Sequence, residues 1–164
     1  MRIGAWLTSG FVFFSSALIS LQYLTGLDFH IDQLLIEDYI HPETINPGRP
    51  APNTALAFMS IGLAQFILSI TQKRQNKLYT AIVELIGFIV FAIGAHALGG
   101  HIQAVEKAYS WGTDTQMSLH SAASNLLIGF SILSLSTRNS ASSFSAFPLW
   151  IPALLCFLAF QIDL

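Results

Sequence analysis

The stretch Arg49-Pro-Ala-Pro-Asn53-Thr-Ala-Leu-Ala-Phe58-Met-Ser-Ile-Gly62 decides how this chain is read. Its prolines stop at Pro52, Asn53 is a residue type that caps helix starts well, and an apolar run with small residues continues past Leu68. That pattern is a helix entering a membrane. A weaker echo follows at Met117-Ser-Leu-His120-Ser-Ala-Ala-Ser-Asn125-Leu-Leu-Ile-Gly129, in which Asn53-Thr54-Ala55 aligns with His120-Ser121-Ala122 and Gly62 with Gly129. The echo predicts one two-helix unit used twice.

Composition agrees with a membrane setting. The 164 residues are 53% hydrophobic and only 10% charged, against about a quarter charged in soluble domains. The apolar residues come in blocks near the roughly 20 needed to cross about 30 Å of hydrocarbon. The expected fold class is therefore all-α, an integral membrane helical bundle. The few basic residues lie scattered at helix ends, with no patch for nucleic acid. The one cysteine, Cys156, excludes an internal disulfide, a cysteine-based zinc site and c-type haem attachment.

About five spans are predicted, over 5–24, 53–70, 79–98, 116–135 and 147–162, with longer loops over 26–52 and 99–115. The first is taken as a retained span, because its apolar block exceeds a signal core and no small-x-small cleavage site follows it. In the first loop, Ile31, Leu34, Leu35, Ile36, Tyr39 and Ile40 are spaced for a short interfacial amphipathic helix. Gly99-Gly100 is read as the end of the third span, and Tyr109 and Trp111 as interfacial aromatics.

Arg2, Lys73, Arg74, Lys77 and Arg138 fall on one side of these spans, and only Arg49 and Lys107 on the other. The positive-inside rule then makes the N-terminus cytoplasmic in a bacterial inner membrane and both longer loops external. All five histidines, His30, His41, His96, His101 and His120, come to the outer side. His120 and Gln116 stand about 6 Å apart along a helix, at a similar depth. His30-Ile31 and His101-Ile102 follow the first helix of each half.

Ionisable residues inside a membrane are costly and mark candidate sites. His96, His120, Asn53 and Asn125 are the candidate ligand or cofactor residues, and His30, His96, His101 and His120 the candidate metal ligands. Imidazole suits transition metals, and two histidines on facing helices suit b-type haem. The plainer reading is hydrogen bonds to backbone or serine groups, and an organic-ligand or proton-responsive role is also open. Asp28, Asp32, Glu37 and Asp38 form either a solvated face or an oxygen site for a divalent cation. Glu84 sits within span three, able to accept from Gln65 or a serine of another helix. Ala55 with Gly62, and Gly87 with Gly94, mark single faces for close helix packing, within the chain or in an oligomer. No nucleophile elbow, phosphate loop or zinc-protease helix is present, so no enzyme is expected.

The residues Pro52-Asn53-Thr54-Ala55-Leu56-Ala57-Phe58, then Gly62-Leu63-Ala64, preceded by Gly26-Leu-Asp28 and Ile31-Asp32-Gln33-Leu34-Leu35, carry a resemblance over residues 1–135. The chain resembles the N-terminal multi-span membrane input regions of bacterial sensor histidine kinases and diguanylate cyclases, in which a Pro-Asn-Thr-Ala-Leu start is echoed by a His-Thr-Ala start. Here the echo has Ser121 where that family has threonine, which keeps the hydroxyl. The resemblance implies a signal-input module in lipid, paired as a homodimer or with partner helices, whose kinase or cyclase output lies outside this chain. Five spans would leave the C-terminus outside, so the expectation is either a truncated input domain whose return helix lies beyond Leu164 or a complete small protein with an external C-terminus. The rival expectations are a small haem- or metal-binding redox protein and an accessory subunit of a larger membrane complex.

Overall fold

The computed structural model describes residues 2–34, 46–71, 77–111 and 115–140. Over these the protein is helical: α1 (Arg2–Thr25), α2 (Pro52–Thr71), α3 (Lys77–Gln103), the single turn α4 (Glu106–Tyr109) and α5 (Leu119–Ser140). Four of them are long and apolar enough to cross a membrane. The run 147–162, most of the interfacial stretch in the first loop, Glu37, Asp38 and His41 lie outside the described residues.

Local chemistry sets the boundaries. Pro52 occupies the first helical position of α2, where its missing N–H costs nothing. Asn53 therefore falls one residue inside the helix and is not its cap. α5 begins at Leu119 and not at Gln116, because Ser118 supplies the cap: its hydroxyl accepts from the Ser121 N–H at 3.2 Å. α3 does not stop at Gly99-Gly100 but runs on to Gln103, where Ala104 turns the chain in a left-handed conformation (φ 58°). Gly100 is needed because α4 lies on it, with Ala108 and Tyr109 filling the space of a side chain. In α1 the hydroxyls of Thr8, Ser9, Ser15 and Ser20 bond back to carbonyls four residues earlier, which satisfies them in an apolar helix.

α1 packs on α2 and α3 on α5, and α2 joins the two hairpins by packing on α3. Ala57, Ile61 and Ala64 of α2, Val83, Val90, Ile93 and Ala97 of α3, and Ala122 and Ile132 of α5 make the core where the hairpins meet.

The hairpins repeat each other in detail. A fixed offset carries Phe13, Tyr23 and Gly26 of the first onto Phe91, His101 and Ala104 of the second, and another carries Pro50, Pro52, Asn53 and Gly62 onto Met117, Leu119, His120 and Gly129. Gly62 lies against the backbone of Phe13 and Gly129 against that of Phe91, each so closely that a Cβ would collide. Tyr23 donates to the Pro50 carbonyl (2.8 Å), and His101 bonds the Met117 carbonyl (2.9 Å). Arg49 bonds Asp28 just as Gln116 bonds Glu106. His101 is thus the counterpart of Tyr23 and not of His30, because α3 extends past Leu98. The glycine faces serve packing within the chain: Gly94 fits against Ala122 and Leu126, and Gly87 against Ile132.

Candidate functional site

Where α1 and α3 end and α2 and α5 begin, polar side chains are buried at the end of an apolar bundle. Arg49 is the centre of the first hairpin's cluster. Its side chain is 5% exposed, and its Nε donates to Asp32 Oδ2 at 2.7 Å, with Asp32 itself 8% exposed. Nη2 donates to Asp28 Oδ1 at 3.3 Å, and the guanidinium stands 5.4 Å from the centre of the Tyr23 ring. Gln22, fully buried on the last turn of α1, donates to both Asp32 oxygens (3.0 and 3.1 Å) and accepts the Phe29 N–H at 2.7 Å. A buried ion pair needs its remaining lone pairs and protons bonded as well; here Gln22 bonds both Asp32 oxygens and Asp28 takes a second Arg49 N–H.

Over this cluster lies a cavity of about 330 Å³, lined by Asp28, His30, Asp32, Gln33, Asn46 and Arg49 among others. That is the lower end of the range for small-molecule pockets, about 300–1,000 Å³. His30 stands at its mouth in a left-handed backbone conformation (φ 55°), its N–H held by Asp28 Oδ1 at 2.9 Å and its Nδ1 3.6 Å from Asp28 Oδ2. Two carboxylates face one guanidinium, so the wall carries a net negative charge while its floor is fixed.

The second hairpin builds a less charged version. His101 Nε2 donates to the Met117 carbonyl, and its ring stacks on Tyr109 at 4.0 Å and 9°. The Tyr109 carbonyl accepts from the Met117 N–H (3.0 Å) and from the Asn53 side chain (3.1 Å), which ties α2 to the loop of the other hairpin. Asn53 is buried and its amide is spent on structure.

The four histidines named as metal ligands are not gathered. His30 and His120 are exposed, His96 and His101 are half-buried, and among the described residues no three His, Cys, Asp or Glu side chains are grouped to hold a metal ion. The physical reason is the added length of α3, which places His101 against Tyr109 and Met117. Gln116 meets Glu106 at 2.6 Å and not His120. Asp28 and Asp32, read as a possible cation site, hold the Arg49 guanidinium instead. Asn125 is 1% exposed on the face of α5 that carries Ala122 and Gly129, and its Nδ2 is a buried donor without a partner among the described residues. Ser136 donates to the Thr80 carbonyl at 3.3 Å and lies 3.5 Å from Glu84, so the partner of Glu84 is a serine of another helix.

No sequence motif marks Gln22 or Tyr23, and Arg49 stands in the sequence only as the start of the helix-entry stretch and as a lone basic residue, with no partner assigned. Their signal was present: two polar side chains closing an apolar span, and one arginine alone on the side poor in basic residues.

No protein-family model matches the chain, and no curated protein and no solved structure matches it. The fold and the site define the class on their own: a polytopic α-helical protein of two repeated hairpins, with a buried polar cluster at one end.

Proposed function

We propose that this chain is the membrane-embedded input domain of a bacterial signal-transduction protein, and that it takes a small polar ligand in the cavity above Arg49. The observation that carries this reading is the hydrogen-bonded Gln22–Asp32–Arg49 floor beneath an open, net acidic cavity. A scaffold fixed on one side and open on the other fits a binding site with preorganised polar groups. The short sequence resemblance over Pro52–Ala64 and the loop before it to the input regions of sensor kinases and cyclases points the same way, and lipid surrounds the four long helices. The cavity opens outside the cytoplasmic membrane, which the excess of Lys and Arg at the other helix ends supports; Arg49 is neutralised by Asp32, which sharpens the asymmetry. The module relays its state through a second copy or partner helices.

The test is a melting screen of the detergent-solubilised chain against small polar compounds, amines and amino acids first. Binding to the folded state raises the midpoint with ligand concentration. A hit should stabilise the natural chain and lose its effect in Asp28→Asn and His30→Ala. If these two changes left both the ligand response and the signalling output of the parent protein untouched, the cavity would not be the input site.

A further inference from the structure

Among the described residues the repeat leaves two faces largely exposed, and each matches one side of the contact that joins the hairpins. Toward α3, α2 presents Ala57, Ile61, Ala64 and Leu68, the first three buried. The same offset in α5 gives Ser124, Ile128, Ser131 and Leu135: small, isoleucine, small, leucine in the same register. Ser124, Ser131 and Leu135 are exposed, and Ile128 is half-buried, packed in part against the core cluster of Ile61 and Val90. Toward α2, α3 presents Val83, Ile86, Val90, Ile93 and Ala97. Their counterparts in α1 are Ala5, Thr8, Val12, Ser15 and Ile19, none of them buried. The hydroxyls of Thr8, Ser15 and Ser131 are already bonded to their own helices, so these residues pack as small side chains. At the polar end, exposed His120 stands where Asn53 donates across the hairpin junction.

We infer that a second copy of this chain docks by repeating the α2–α3 contact, with α5 of one chain against α1 of the next. Small residues, serine among them, let membrane helices approach closely, which is where association in lipid gains its energy. The contact is head-to-tail and not self-complementary, so it joins two different faces and extends to a ring or a row. It is independent of any ligand.

Cysteine cross-linking of the full chain in native membranes, in a Cys156→Ser background, tests it. The pairs are Ala5→Cys with Ser131→Cys, and Ile19→Cys with Ser124→Cys, chosen because Val83 and Ala64 belong to one core cluster of the hairpin junction and Ala97 and Ala57 to another. Mild oxidation should convert each double variant into dimers and higher species, while each single variant stays monomeric. A further Ser131→Phe change in the second pair should abolish the ladder. Dimers from Ser124→Cys alone would mean a symmetric α5–α5 contact, and a disulfide within one chain would mean that α1 and α5 close on each other. Either result, or no cross-link at all in variants that keep their helical circular dichroism, overturns the inference.

Discussion

Arg49 shows how one side chain is held where its charge ought to be expensive. Removing water from a guanidinium and a carboxylate costs several kcal/mol per ion, and the pair repays it only with close geometry and full hydrogen bonding. Arg49→Ala would strand Asp32, 8% exposed, without its cation. We expect that variant to lose about 3–5 kcal/mol, read as a lower unfolding midpoint in detergent, and the double variant with Asp32→Asn to recover part of it. A double variant no more stable than Arg49→Ala would show that Asp32 is not what Arg49 neutralises. None of this geometry could be read from residue types. Asp28 and Asp32 look alike in the sequence as members of an acidic loop, and only the return of the chain at Arg49 makes one of them a buried ion partner and leaves the other half open to the cavity.

At the level of the helices, glycine is used where two backbones nearly touch. A Cβ at Gly62 would lie 2.7 Å from the Phe13 nitrogen and 2.9 Å from its Cα, atoms that cannot swing aside. Gly10 on α1 has nothing within 4 Å of the same construction. Gly62→Ala should therefore push α1 off α2 and lower the unfolding midpoint by several degrees. Gly10→Ala should leave it unchanged or raise it, since alanine is favoured over glycine in a helix by about 0.5–1 kcal/mol. Equal effects from the two changes would mean that the α1–α2 approach is not this close. The pairing of Gly62 with Gly129 was legible in the sequence echo. The partner helix of each was not, because a small residue marks a close approach without stating to what.

For the whole molecule, the proposed sidedness of the polar cluster rests on the count of basic residues. Cysteine introduced at His30 in the Cys156→Ser background should react in intact cells with a membrane-impermeant maleimide, and cysteine at Lys77 only after the cells are opened. The reverse pattern would turn the cavity toward the cytoplasm and take an external ligand with it. The same expectation fixes which end of the bundle a partner's output domain would follow.

The sequence by itself determined that this is a helical membrane protein, where its four described spans lie to within a few residues, and that one hairpin is used twice. Those are consequences of apolar run length and of small-residue spacing, both of which act locally along the chain. Only the tertiary structure decided that α3 outruns its Gly99-Gly100 pair, that His101 answers Tyr23, and that Asn53 is spent on the Tyr109 carbonyl. It also decided that Asn125 is buried in the α5 face, its amide N–H without a partner among the described residues. These depend on which groups the fold brings to hydrogen-bonding distance, and a buried polar group takes its role from the partner it finds and not from its own type.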